Sequence, residues 1–241
     1  MGRFGRWFGS SLLSLCFPPH CAVCGLATSA GCHLCGACAE EVERIKEPRC
    51  AKCSSPFHGA ITEVFVCANC EQRELHFDCA VSCYLSTGPV REFIHGFKYL
   101  RHTFLRHTLA GWLSETLRDP RMIVQPFDAL VPVPLHHVRR REREFNQAEV
   151  LAKLIAPVAG KPVWDALKRV RNTPTQTRLD RSERMENLRG AFKVRRPMQV
   201  KGRHLVLVDD VFTTGSTVEE CSRVLLKSGA ASVRVITIAR A

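Results

Sequence analysis

The sequence predicts an α/β fold, a central, mostly parallel sheet flanked by helices, with a small cysteine-rich domain in front of it. Leu205–Val208 and Ala129–Pro134 are short, uninterrupted apolar runs, the pattern of strands buried on both faces. Each runs into a polar turn and then a helical pattern, which is how parallel strands are connected. Twelve of the thirteen cysteines lie at or before position 83, and only Cys221 comes later. With 241 residues and 45% apolar content, the chain is long enough for one ordinary domain and a small one. The expected division is a cysteine-rich domain over 1–78 and an α/β domain over 79–241.

The N-terminus places Arg3 and Arg6 ahead of an apolar stretch too short for a signal peptide, and Leu15 is a poor residue before a lipidated Cys16. Phe4, Trp7, Phe8, Leu12 and Leu15 fall on one helical face. A short amphipathic helix packed on the cysteine module is expected, with a membrane surface as the lesser alternative. Four Cys-x-x-Cys units follow: Cys21/Cys24, Cys35/Cys38, Cys50/Cys53 and Cys67/Cys70. That two-residue gap lets both thiolates reach one ion, so pairing the units in order gives two structural four-thiolate Zn sites. Cys32 forms an overlapping unit with Cys35, and spacing leaves open whether it replaces Cys38 or is a spare thiol. Gly25 and Gly36 directly follow knuckle cysteines, where a positive-φ turn is often needed. The isolated Cys16, Cys79, Cys83 and Cys221 read as small buried apolar residues. Grouped, metal-type thiols place the protein in a reducing cytoplasm.

In the second domain, Cys79–Leu85 reads as a strand, and Pro89–Tyr99 and His102–Leu117 as helices. Lys98 could reach a phosphate, but the favoured expectation is that it keeps its head in water. The strand Ala129–Pro134 leads into a loop carrying Arg139, Arg140, Arg141 and Arg143, and a helix starts near Ala148. Residues 168–203 hold twelve Lys/Arg against three Asp/Glu. Within them, 172–184 lacks periodicity and reads as a loop with Arg178 and Arg181. Ser232–Ala239 is expected to be the strand that closes the sheet.

The densest signal is His204–Thr217. The apolar run ends in the adjacent acids Asp209 and Asp210. Then come Thr213, Thr214, Gly215, Ser216 and Thr217, and a helix from about Val218 to Lys227. A helix start offers unpaired N–H groups to a phosphate, and the hydroxyls add donors. Gly215 allows close backbone approach. Acceptor-only carboxylates match ribose hydroxyls or Mg²⁺. The plainer reading, a strand-to-helix turn with Ser216 or Thr217 as N-cap, leaves the acids unexplained.

The run Val206–Thr217 resembles the phosphoribosyl pyrophosphate motif of type I phosphoribosyltransferases. The remainder, including Ile94–Tyr99, Asn187–Phe192 and the cysteine-rich front, resembles the ComF family within that superfamily. The resemblance implies a type I phosphoribosyltransferase fold with an N-terminal zinc-ribbon domain, and it favours Cys35 with Cys38 as ligands. It also implies phosphoribosyl pyrophosphate bound with Mg²⁺. The 5′-phosphate would sit on Thr213–Thr217, and Asp209 and Asp210 would act as catalytic residues on the ribose face. Pyrophosphate would lie on the 131–147 loop, under a mobile lid bearing Arg178 and Arg181. The family usually has glycine where this chain has Glu144, so the loop is expected to approach its ligand differently. Gly2 stands where glutamine-dependent relatives have a cysteine nucleophile, which argues against that route.

The formal charge is +12. Residues 1–80 carry a net −1 and residues 81–241 a net +13, which suits phosphate-rich partners. No apolar run approaches the roughly 18 residues of a membrane span. Three functions follow: a phosphoribosyltransferase with an unread acceptor, a single-stranded DNA-handling factor that keeps the sugar-phosphate site, and a zinc-dependent adaptor. The ComF resemblance implies a part in natural transformation, with competence-machinery proteins as partners.

Overall fold

The computed structural model describes residues 19–59, 61, 63–172 and 186–241. The amphipathic-helix reading of the N-terminus, Arg178 and Arg181 lie outside them. The helices are α1 Gly36–Glu40, α2 Ala68–Glu71, α3 Gly88–Tyr99, α4 Arg106–Ser114, α5 Pro120–Ile123, α6 His137–Arg143, α7 Gln147–Ala159, α8 Pro197–Val200 and α9 Ser216–Lys227. The strands are β1 Ala80–Leu85, β2 Ala129–Pro132, β3 Leu167–Arg169, β4 Phe192–Val194, β5 His204–Phe212 and β6 Ser232–Arg240.

Four strands form a parallel sheet in the order β1-β6-β5-β2. Both faces are buried, as the apolar runs predict. Leu205 and Leu207 enter one core with Val233 and Val235, while Val206 and Val208 enter the opposite core with Ile236 and Ile238. The first core is covered by α9 and by Cys50, Cys53, Cys70 and Phe77 of the cysteine-rich segment. The second is covered by α3, α4 and α7. β3 and β4 pair antiparallel as a separate ribbon.

Four sequence expectations are corrected. β6 lies between β1 and β5 and does not close the sheet; residues apolar toward both faces belong in the middle. β5 continues through Asp209 and Asp210 to Phe212, so the acids are strand residues. The expected single helix over 102–117 is α4 flanked by 3₁₀ turns at Thr103–Leu105 and Glu115–Arg118. Thr116 Oγ1 donates to the Leu113 carbonyl, one of the local side-chain bonds that divert a backbone from regular helix. The arginine-rich loop contains the helix α6, which buries none of its residues and therefore lacked an apolar stripe to betray it. Its start is capped by the His136 side chain.

One arginine ties the cysteine-rich segment to the sheet domain. Arg121 donates to the carbonyls of Cys50 and Ala51, at 3.3 and 3.0 Å, and to Ser54 Oγ at 3.0 Å. It also forms a two-point pair with Asp119, which Arg49 joins at 2.8 Å. Burial would raise the Asp119 pKa, but the Arg121 bonds hold it below the usual carboxylate range. Arg121→Met is expected to lower stability by about 3 kcal/mol at pH 7, because it strips partners from a buried carboxylate. Asp119 has a depressed folded pKa, so this contribution is lost as pH falls through it, and the parent–variant gap in chemical denaturation should narrow in acid.

Candidate functional site

The acid pair sits where the parallel sheet delivers its strand ends. Asp210 is buried, and its backbone N–H donates to Asp209 Oδ1 at 2.9 Å. Its carboxylate meets Lys98 Nζ at 2.6 Å, from the last turn of α3. The expectation of a solvated Lys98 is therefore wrong: its side chain is 18% exposed and its charge is spent on Asp210. Burial alone would lower the lysine pKa, but the neighbouring Asp210 and Asp209 outweigh it and raise it. Asp209 behaves oppositely: burial first, and the Asp210 charge second, push it up to about 7.

Beyond Phe212 the chain turns through Thr213 and Thr214 into α9. The N-cap is Gly215, at φ 78° and with no side-chain cap bond, and not Ser216 or Thr217. Thr214 Oγ1, and not Ser216 or Thr217, takes the Ser216 N–H at 3.4 Å, and the Thr217 and Val218 N–H groups that follow are the donors a helix start offers to an anion. Glycine is required twice over. The backbone is left-handed, and a Cβ would lie 2.5 Å from Phe212 Cζ. Thr214 Oγ1 and Ser216 Oγ are 2.9 Å apart, Thr217 is half-buried and Thr213 is exposed.

The α6 arginines divide. Arg143 donates to the Tyr99 hydroxyl at 3.1 Å and to Gln147 at 3.2 Å, and its charge pulls the Asp209 pKa downward. Arg139, four residues earlier and half-buried, lies on the same helical face. Arg140 turns to Glu149 at 3.3 Å, and Arg141 is exposed. Arg169 of β3 was not singled out from sequence, yet it acts electrostatically on Asp209 too. Burial, and then Arg139, hold its pKa below the ordinary arginine value. Its only sequence signal was a charged residue at the end of a short strand. Glu144 adopts φ 68°, the left-handed conformation a glycine would take, and pairs with Arg101 at 2.9 Å. The glycine-to-Glu144 difference thus leaves the left-handed backbone in place.

The cysteines form two clusters, Cys21/Cys24/Cys35/Cys38 and Cys50/Cys53/Cys67/Cys70, each with all sulfurs within 4.8 Å of one another. Cys24 and Cys35 approach to 3.6 Å, as do Cys53 and Cys67. Four thiolates about 2.3 Å from a tetrahedral zinc are about 3.8 Å apart, so both clusters fit the ion. Backbone N–H groups of Cys38 and Cys67 point at Cys35 and Cys50 sulfurs, as they do toward thiolates. Cys32 stands outside, with its sulfur bonded to the Leu34 carbonyl at 3.0 Å, which decides for Cys38. Gly25 has φ 76°, whereas Gly36 starts α1 and needs no unusual φ. Cys79 and Cys221 are buried, and Cys83 is partly so.

Residues 12–71 match the double zinc ribbon domain, and residues 146–241 match the phosphoribosyl transferase domain. Fold, thiolate clusters and strand-end site thus define a phosphoribosyltransferase-type domain carrying a double zinc ribbon. The chain is 36% identical to the DNA utilization protein YhgH of Salmonella typhi, over 86% of this chain and 90% of that one. It is 33% identical to competence protein F of Haemophilus influenzae, with the same coverage. Competence protein ComFC of Bacillus subtilis is 27% identical, over 86% of this chain and 84% of that one. The protein belongs to the ComF family. Among the described residues, no helix is long and apolar enough to cross a membrane.

Two outcomes are expected. Cys38→Ser should reduce bound zinc from two ions per chain to one, and Cys32→Ser should keep both, as read by mass spectrometry of the intact protein. For Asp209, a folded pKa above the usual carboxylate value means the unfolded chain releases this proton first. Its contribution therefore lowers stability as pH rises from the ordinary range to about 7. Ligand-free Asp209→Asn should melt about 3–6 °C above the parent at pH 8, with the gap narrowing as pH falls below about 7 and closing only at about pH 4.

Proposed function

We propose that the protein binds phosphoribosyl pyrophosphate together with Mg²⁺ at the end of β5, and that it acts in DNA uptake and natural transformation. The observation that carries the first part is the buried acid pair one tight turn away from a helix start whose N-cap is the left-handed Gly215. A 5′-phosphate would be held by the hydroxyls and amides of Thr213–Thr217. Asp209 and Asp210 would accept from the ribose hydroxyls, with Lys98 orienting Asp210. Arg139, Arg143 and Arg169 would neutralise the pyrophosphate, and Arg178 and Arg181 would close over the sugar. The acid pair or the phosphates would hold Mg²⁺, which would supply charge neutralisation of the leaving group. If transfer occurs, these residues act by positioning and electrostatics on an oxocarbenium-like centre. The role in DNA uptake is supported by relatives named for competence and DNA utilization. Placement in the cytoplasm, the division at residue 78 and competence-machinery partners belong to the same reading.

A second reading keeps the sugar-phosphate site but makes single-stranded DNA the main cargo, without transfer. It is favoured by the +13 charge of residues 81–241 and by the exposed Arg141, which no carboxylate of the site requires.

Calorimetric titration of the zinc-loaded protein with phosphoribosyl pyrophosphate and Mg²⁺ should give saturable heat. Asp209→Asn/Asp210→Asn should weaken that binding about 100-fold, as expected when charge-assisted acceptors are lost. Absence of heat in the folded parent refutes the proposal. Pyrophosphate release with candidate acceptors then separates the enzyme from the DNA-handling factor, whose single-stranded DNA affinity should fall steeply with salt.

A further inference from the structure

The second cysteine cluster lies directly behind the turn that joins β5 to α9, and three residues following it reach that turn. Phe77 is buried edge-on against Phe212, with ring centroids 6.0 Å apart. Phe212 in turn fills the space under Gly215 that a Cβ would need. The turn's backbone thus rests on Phe212, and Phe77 fixes where Phe212 lies. Cys50, Cys53 and Cys70 share one core with Phe77, Phe212 and Val218, so ordering of the second cluster is felt at the turn.

Arg73 Nη2 donates to the Thr214 carbonyl at 3.5 Å, and Arg240 Nη1 donates to the Thr213 carbonyl at 3.0 Å. A trans peptide points its carbonyl and N–H in opposite directions. Holding those carbonyls from behind directs the N–H groups of Thr214 and Gly215 the other way, away from the two arginines. A cavity of about 480 Å³ beside Arg73, Asn69 and Thr213 shows that packing does not fill this rear side. The guanidinium bonds thus hold the outer side of the turn, and Phe212 supports its inner side. His76 completes the set. Its backbone N–H and Nδ1 both engage Glu219, at 3.0 Å and 2.5 Å respectively. An acid in the first turn of a helix is drawn to the same N-terminal donors as a phosphate. Engagement by His76 keeps Glu219 off them.

The geometry points to the second ribbon as a positioning element for the turn Thr213–Thr217, acting through Arg73, His76 and Phe77 to present its donors to a 5′-phosphate. This rests on reading that turn as the phosphate site. It makes the ribbon part of the ligand-binding device and gives Arg73 and His76 roles that their sequence context does not suggest.

The test is titration of the zinc-loaded full chain with ribose 5-phosphate and, separately, with pyrophosphate and Mg²⁺. Arg73→Ala/His76→Ala should weaken ribose 5-phosphate about tenfold and leave pyrophosphate within about twofold, because only the phosphate turn is displaced. Zinc content and Tm should match the parent. His76→Asn, which keeps an N–H donor near the Nδ1 position, should retain parental affinity. If the double variant loses zinc or melts early, the comparison moves to Arg73→Ala alone, for which the same selective loss is expected. Unchanged ribose 5-phosphate affinity, or equal weakening of both ligands, overturns the inference while the parent still binds. A folded parent that binds neither ligand removes the phosphate reading, and this inference falls with it.

Discussion

The Lys98–Asp210 ion pair joins the last turn of one helix to the interior of a buried parallel strand. Asp209 and Asp210 follow four apolar residues in β5, in the middle of a sheet covered on both faces. Ionised carboxylates in such a place are held only if charges and donors are brought to them. Lys98 answers Asp210, and the Asp210 N–H answers Asp209. Arg143 of α6 and Arg169 of β3 lie close enough to act on Asp209. Helix α3, helix α6 and the β3–β4 ribbon come from distant parts of the sequence, and the acid pair is what their charged ends have in common.

That dependence explains why the site is stiff where it is charged and open where it is not. The acids belong to a nine-residue strand and lie just beyond the end of β2, where β5 is still paired with β6. The adjacent turn has one glycine, two hydroxyls in mutual contact and carbonyls tethered from behind. A rigid acidic floor beside a turn held by side chains separates two tasks, sugar recognition and phosphate recognition, along one stretch of backbone.

Legibility from sequence followed the range of the interactions. Asp209–Thr217 could be read because strand, turn and helix start are contiguous, and the thiolate clusters because two-residue spacing is itself geometric. Lys98 was misjudged because its partner is more than a hundred residues away and a lone lysine on a helix is ordinarily solvated. The helix α6 was read as loop because none of its side chains is buried, so its formation rests on a cap and not on periodicity. Arg169 lay in a three-residue strand too short to announce itself. The choice between Cys32 and Cys38 needed coordinates, since both satisfy the same spacing.

Charges of both signs are held close together around β5. Lys98 pairs with Asp210, and Arg143 and Arg169 act on Asp209 from α6 and β3. The two signs are perturbed by different neighbouring charges. Arg169 is held down by burial and by Arg139, while Asp209 is held up by burial and by Asp210. Each group is therefore less comfortable than in water, and a ligand that relieves the discomfort is favoured over one that does not. A bare polyanion would satisfy the arginines and further burden Asp209. A bare cation would satisfy Asp209 and further burden Arg169. A polyphosphate that arrives with its own divalent cation, and with hydroxyls for the remaining carboxylate oxygens, relieves both. For the proposed function, this is the electrostatic case for a metal-bound sugar pyrophosphate, which carries both signs in one compact body, over a simple phosphate.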